Sequence, residues 1–264
     1  MNNTIAIVIA AGVGSRLRPL TDDLPKCMLT IDGKPLLQHA AAIFRSSGIS
    51  RIMVIGGYRA ERLRLPEGAS LILNSEYQHN NILHSLAYGR EAMVEADTVL
   101  VAYSDIIFKQ SVVEDLLAVD QEDIAIVVDQ AWQQGYASRP LHPLQEAEGA
   151  NFGPDGDLRG IGKKLLTNQR NPAEWGEFIG MMKLTHKGNE VFWDTFDKID
   201  SQLLLDGPFQ QAAAWKNAYL TDLLQEIVDC GTEVHCSLIR GGWQEIDTSD
   251  DYEEAQAFDF GSKS

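Results

Sequence analysis

The chain has 264 residues, 44% of them hydrophobic and 23% charged, an ordinary globular composition that suits an α/β domain with a substantial core. A formal net charge of −16 argues against nucleic acid as a partner, and no apolar run approaches the roughly 18 residues that cross a bilayer. Cys27, Cys230 and Cys236 fit neither a metal clip nor a disulfide framework, and the six histidines form no HxxxH or HExxH pattern, which favours a reducing cytoplasm without a zinc site.

Ile5–Ala10 is a continuous apolar run, as expected for a strand buried on both faces, and it leads straight into a glycine loop, so it reads as a strand and not a leader peptide. Lys34-Pro35 opens a helix that Gly48 closes. Arg51–Ile55 and Ser70–Leu73 are the second and third strands. Asn81–Ala96 carries Ile82, Leu83, Leu86, Met93 and Val94 at helical spacing. Thr98–Ala102 and Ile124–Val128 are the fourth and fifth strands. This rhythm predicts an α/β fold with a doubly wound, mainly parallel mixed sheet and ligands at the carboxyl ends of its strands. Residues 130–175 are rich in Gly, Pro and Gln, with a turn at Gly153–Gly156. Glu177–Leu184 is a strand, Leu220–Val228 lies in a helix stopped near Gly231, and Glu233–Ile239 alternates as a strand. Trp243–Asp247 leads into a last helix near Asp250–Phe258. No repeat or linker divides the chain, so a single domain over residues 1–264 is expected.

Charge is unevenly spread. Residues 1–64 hold nine Lys/Arg against four Asp/Glu, a basic start on an acidic protein, which suggests a local site for a polyanion. Arg59, Arg62 and Arg64 read as a solvated surface; Arg16, Arg18 and Lys26 do not. They flank the loop Ala11-Gly12-Val13-Gly14-Ser15-Arg16-Leu17-Arg18-Pro19-Leu20, whose glycines let the backbone approach a phosphate. The dinucleotide fingerprint fails because Leu17 stands where a small residue is required and strand two ends in Gly56-Gly57 without an acid. A Walker A loop fails for want of Gly-Lys-Ser/Thr.

What remains is Gly-x-Gly-Ser-Arg-Leu-x-Pro-Leu-Thr followed by Leu24-Pro25-Lys26-Cys27-Met28-Leu29. This pattern resembles the nucleotidyltransferases that activate sugar phosphates and phosphocholine. The resemblance implies that Gly12, Gly14, Ser15 and Arg16 cradle the β- and γ-phosphates of a nucleoside triphosphate, with Ala10, Ala11 and Ser104 beside them. It places Lys26 on the α-phosphate, where it stabilises the charge that grows in the transition state, and makes Lys26 and Arg16 the catalytic cations. Asp105 ends the fourth strand and Asp247 lies in a Trp-x-x-Ile-Asp element; in the family two such aspartates share one Mg²⁺. Taken alone, Asp105 reads better as a helix or turn cap, and Asp247 as the N-cap of the last helix unless Thr248 or Ser249 caps it instead. An already ionised acceptor oxygen needs no Ser-His-Asp or Cys-His nucleophile, so the lack of one is no objection.

The element Asn80-Asn81-Ile82-Leu83-His84-Ser85-Leu86 is similar to the cytidylyltransferase branch, where it lies near the base, so Asn81 and Ser85 are expected at the nucleotide and CTP is favoured over UTP or dTTP. Residues 129–164 look like the cytidylyltransferases of phosphonate metabolism, which load 2-aminoethylphosphonate or 2-hydroxyethylphosphonate onto CMP. Arg139 and Lys163 are the candidates for holding the acceptor's phosphonate, and Glu177 matches an acidic position of the family. Residues 1–110 are then mainly nucleotide-binding, and 111–258 mainly acceptor-binding with the C-terminal metal aspartate. A phosphocholine acceptor would need an aromatic cage, for which Trp175 is the candidate, with Trp193 and Trp215 read as core. A sugar 1-phosphate is the other competitor. From other classes, a nucleotide sensor is expected to lose Lys26 or a metal aspartate, and a glycosyltransferase to show Asp-x-Asp; this chain does neither.

Overall fold

The structure, a computed structural model, describes residues 3–136, 141–142, 144–167 and 171–261. Strand β1 (Thr4–Ala10) is apolar throughout because both its faces are covered. Ile5, Ile7 and Ile9 enter one core cluster, and Ala6, Val8 and Ala10 enter another on the opposite face. A small hairpin follows, β2 (Thr30–Ile31) with β3 (Lys34–Pro35), then α1 (Leu36–Ser46), β4 (Arg51–Gly56), β5 (Ser70–Leu73), α2 (Ile82–Ala87), α3 (Arg90–Val94) and β6 (Thr98–Tyr103). β6, β1, β4 and β5 lie side by side in parallel register.

The second half contributes β7 (Ile106–Phe108), α4 (Gln110–Leu117), β8 (Ile124–Asp129), α5 (Gln133–Tyr136), β9 (Glu148–Phe152), β10 (Leu158–Lys163) and β11 (Trp175–Thr185). It ends with α6 (His186–Gln202), α7 (Leu220–Asp229), β12 (His235–Ile239), β13 (Trp243–Glu245) and α8 (Ser249–Ala255). The long β11 runs antiparallel to β6, β8 and β9, and β10 antiparallel to β9, while β12 is parallel to β8. The result is a nine-stranded mixed α/β sheet, parallel through its N-terminal half and largely antiparallel beyond β6. Trp193 and Trp215 are buried in the first core cluster, as expected. Among the described residues, no helix is long and apolar enough to cross a membrane.

Three local readings change. Lys34-Pro35 belongs to the small hairpin, and Pro35 caps α1 instead of sitting in its first turn. The helical stretch 81–96 breaks at Tyr88-Gly89, because Gly89 lies against Ile7 and Ile55, whose methyl carbons leave 3.2 Å for an added Cβ. Residues 130–175 hold β9 and β10, which their glycines disguise as turns.

One small element matters most for the site. β7 pairs with β13 in a separate two-stranded ladder, with Trp243 opposite Phe108, Gln244 opposite Ile107 and Glu245 opposite Ile106. The Ile246 N–H continues it by donating to Asp105 O at 2.9 Å. This ladder sets Asp105, at the end of β6, beside Asp247, just before α8. Thr248 caps α8 by accepting from the Asp251 N–H, which leaves the Asp247 side chain uninvolved in the cap.

Candidate active site

The loop after β1 turns at Gly14, whose φ of +62° lies in the left-handed region. A Cβ there would also come within 3.2 Å of Lys26 Cβ. Thr21 Oγ1 and the Leu17 N–H both donate to Gly14 O, at 2.8 and 3.1 Å, so the loop is folded back onto its own lysine. Lys26 is buried with its Nζ between two carboxylates: it donates to Asp105 Oδ2 at 2.7 Å and to Asp247 Oδ1. Arg16 reaches the other oxygen of Asp247 from a half-exposed position. Arg18 turns away, exposed and paired with Asp22 at 3.4 Å, and so belongs to the surface and not to the polyanion site.

Electrostatics follow from this packing. Burial opposes the charge on Lys26, but Asp105 and Asp247 outweigh it and raise the lysine above its ordinary value. Burial likewise works against the charge on Asp247, yet Lys26, with Arg16 and His142, brings its carboxyl down to about 2. Glu245 goes the other way: burial, then Asp247 and Asp105, push its carboxyl well up. Asp105 Oδ1 is buried with no hydrogen-bond partner among the described residues. A buried carboxylate oxygen without a donor, beside a second carboxylate, is a fitting donor set for a hard divalent cation such as Mg²⁺. His142, Glu245 and Asp247 also bring three ligand atoms within 4.8 Å of one another. His142 is itself engaged, with Nε2 at 3.3 Å from Glu245 and Nδ1 at 3.2 Å from Asp251.

Two cavities meet at this cluster. The first, of about 260 Å³, is lined by Ala10, Ala11, Gly12, Gly14, Ser15, Arg16, Lys26, Asn81, Ser85, Ser104, Asp105 and Asp247, so the residues expected at nucleotide and metal all face one space. Asn80, from the same element as Asn81, lines it too, and so do Tyr77 and Tyr103, which were not foreseen. Asn81 uses its side-chain N–H on Asn217 O at 3.0 Å. The second cavity, of about 140 Å³, holds Lys163 and Glu177 and shares Arg16, Asp105 and Asp247 with the first. Arg139 lies outside the described residues.

Glu146 and Glu148, from the stretch read as acceptor-facing, line this cavity as well, whereas Tyr219, Trp243 and Glu245 were not foreseen there. Of these three, Glu245 had a usable signal, since it stands two residues before Asp247, on the same side of an extended segment. Lys163 Nζ donates to Glu146 at 2.9 Å and sits 4.4 Å from the centre of the Tyr219 ring. Glu148 is buried and accepts from Tyr103 Oη at 3.1 Å and Thr221 Oγ1 at 3.3 Å. Burial lifts its carboxyl to about 7 against the opposing pull of Lys163. Trp175 packs beside Trp132, Ala147 and Leu166 and lines neither cavity, so it does not form a cage there.

The model of the MobA-like NTP transferase domain matches residues 6–168, which include the glycine loop, Lys26 and Asp105. The chain belongs to the MobA-like NTP transferase family. The transferase is 30% identical over 256 residues to the CTP:phosphoglutamine cytidylyltransferase of Campylobacter jejuni, a match covering 94% of this chain and 97% of that protein. It is 30% identical over 109 residues to the 2-aminoethylphosphonate cytidylyltransferase of Lancefieldella rimae, covering 39% of this chain and 44% of that protein. Its fold superposes on the CTP:phosphocholine cytidylyltransferase of Streptococcus pneumoniae with a TM-score of 0.69 at 20% identity, over 96% of this chain and 98% of that one. The protein is a nucleotidyltransferase.

Proposed function

We propose that this enzyme transfers CMP from CTP to a small phosphonate, 2-aminoethylphosphonate or 2-hydroxyethylphosphonate, and releases pyrophosphate. The observation that carries the reading is the meeting of two cavities, one with a cationic glycine loop and one small and polar, at the cluster of Lys26, Arg16, Asp105 and Asp247. Two relatives are cytidylyltransferases by name, one for CTP and phosphoglutamine and the other for 2-aminoethylphosphonate.

In this reading an ionised phosphonate oxygen of the acceptor attacks the α-phosphorus. A new P–O bond forms, the bond to the bridging oxygen of the β-phosphate breaks, and the electron pair leaves with pyrophosphate. Residues 12–16 hold the β- and γ-phosphates through backbone N–H groups and Arg16. Lys26 neutralises the α-phosphate as charge builds there. Asp105 and Asp247 would hold Mg²⁺, which supplies further neutralisation of the triphosphate. Lys163, Arg139 and Glu177 serve the acceptor, and Asn81 and Ser85 the nucleoside. The reading places the enzyme in the cytoplasm, where CTP and Mg²⁺ are available.

A second acceptor is favoured by one observation: the phosphoglutamine cytidylyltransferase is 30% identical over 94% of this chain, while the 2-aminoethylphosphonate cytidylyltransferase reaches the same identity over 39% of it. Pyrophosphate release measured with Mg²⁺ separates the candidates. CTP, UTP and dTTP are crossed with both phosphonates, phosphoglutamine, phosphocholine and glucose 1-phosphate. Release confined to CTP with a phosphonate supports the proposal. Release with CTP and another acceptor keeps the chemistry and replaces the substrate; release with another nucleotide discards the CTP reading.

A further inference from the structure

The nucleotide cavity has two chemically different ends. One is the glycine loop with Arg16 and Lys26; the other presents Tyr77, Asn80, Asn81 and Ser85. The first matches phosphates, which leaves the second for the base. Behind that end, outside the cavity lining, lies Asn74, fully buried at the close of β5.

The hydrogen bonds of Asn74 admit a single orientation of its amide. Its Oδ1 accepts the backbone N–H of Glu76 at 2.9 Å, and a backbone donor cannot be reversed. Nδ2 therefore faces the other way and donates to Asn80 Oδ1 at 3.0 Å and Ser85 Oγ at 2.9 Å. Ser85 Oγ also donates to Asn80 Oδ1, at 3.3 Å. Both lone pairs of the Asn80 carbonyl are thus taken from behind. Asn80 Nδ2 makes one bond, to Asn74 Oδ1 at 3.3 Å, so its second N–H is available to the cavity that Asn80 lines.

We propose that Asn74 is a positioning residue that sets nucleotide choice: it locks Asn80 as an outward donor, and that donor meets the N3–O2 edge of cytosine. The proposal rests on the CTP reading above. Cytosine offers an unprotonated nitrogen at N3, whereas uracil carries an N–H there, so the same donor attracts one base and repels the other. The repulsion is built in the second rank, at a residue that touches no substrate.

Isosteric changes test this. Asn74→Asp replaces the inward donor with an acceptor, and Asn80 must then turn its NH₂ inward and its Oδ1 towards the base. The expected result is a fall of at least about tenfold in the CTP:UTP ratio of kcat/KM, with the absolute rate on UTP raised. Equal losses on both nucleotides, with the ratio unchanged, overturn the proposal. Because a carboxylate buried at this position can compromise folding, Asn80→Asp provides an independent arm. It places an acceptor outward and keeps the Asn74 side chain, giving up only the 3.3 Å bond to Asn74 Oδ1, and the same fall in ratio is expected; an unchanged ratio again overturns the proposal. A wild-type ratio near one overturns the CTP reading and this inference together, whereas a high wild-type ratio that neither variant moves overturns the inference alone.

Discussion

The two halves of this molecule hold their ligand-facing residues in different ways. In the cavity proposed for the nucleotide, the glycine-loop end is local: β1 ends, the loop turns at Gly14, and Lys26 returns to the same spot within a short stretch of chain. The cavity proposed for the acceptor is assembled from afar. Glu148 on β9, Lys163 on β10, Glu177 on β11, Tyr219 before α7 and Glu245 on β13 converge on one cavity of about 140 Å³. Parallel strands place their loops at one sheet edge and so concentrate function there. Antiparallel strands distribute it along their length, one residue at a time. A triphosphate binder can therefore be carried as one motif, while its acceptor pocket is free to change by single substitutions on separate strands.

Three experiments break or sharpen that division. The largest effect is expected from Lys26→Met: kcat falls by about 10²–10³-fold for every acceptor, with circular dichroism unchanged. If the loss is confined to one acceptor, Lys26 belongs to the acceptor half and the division fails. Glu148→Gln is expected to raise the acceptor KM by roughly tenfold and to leave the nucleotide KM within about twofold. This variant also has a signature in pH. The carboxyl sits at about 7 in the folded protein against 4.5 ordinarily, so between these values the native state holds a proton that the unfolded chain has lost. Stability falls as pH rises through that window, by up to about 3 kcal/mol, and the glutamine removes the slope. Thermal unfolding of both proteins at about pH 5 and about pH 8, on either side of that window, checks it; parallel pH dependences would show that Glu148 is not the buried acid described. The smallest effect is expected from Trp175→Phe, which leaves both KM values within about twofold, since Trp175 packs on Trp132 and Leu166 and lines neither of the two cavities of the site. A raised acceptor KM would extend the acceptor site to that tryptophan.

Legibility in the sequence follows the same line. β1 was readable because burial on two faces leaves an unbroken apolar run, and the glycine loop because its spacing excluded both common phosphate loops. Lys26, Asp105 and Asp247 came from the family resemblance, and the fold brings them into one cluster through the β7–β13 ladder. In the second cavity the residues Lys163 and Glu177 were legible, but the strands β9 and β10 that carry much of its wall were not. Glu148 and Lys163 lie on strands whose sequences, EGANF and LRGIGK, carry glycines that imitate turns. Gly149 is there because Leu166 would meet an added Cβ at 2.8 Å, a packing reason that no local pattern announces. Asn74 was hidden for a different cause: its role is to hold Asn80, and a polar residue after an edge strand looks like any turn. Gly89 shows the converse, a helix pattern that continues while the helix itself stops.

The ladder that joins β7 to β13 also bears on how the enzyme comes into being. Lys26 and Asp247 are 221 positions apart, so the ribosome releases the glycine loop long before the second carboxylate. A nascent chain holding all of β1 to β12 has its sheet strands in hand but lacks one arm of the charge cluster. β13 pairs with β7 and not with the nine-stranded sheet, so shortening the chain before Trp243 removes Asp247 without removing any strand of that sheet. A chain cut there loses the second carboxylate together with Ile246, Tyr252, Ala255 and Phe258, which pack on Leu17, Leu36 and Ile107, so the same segment completes both the charge cluster and the small core beneath it.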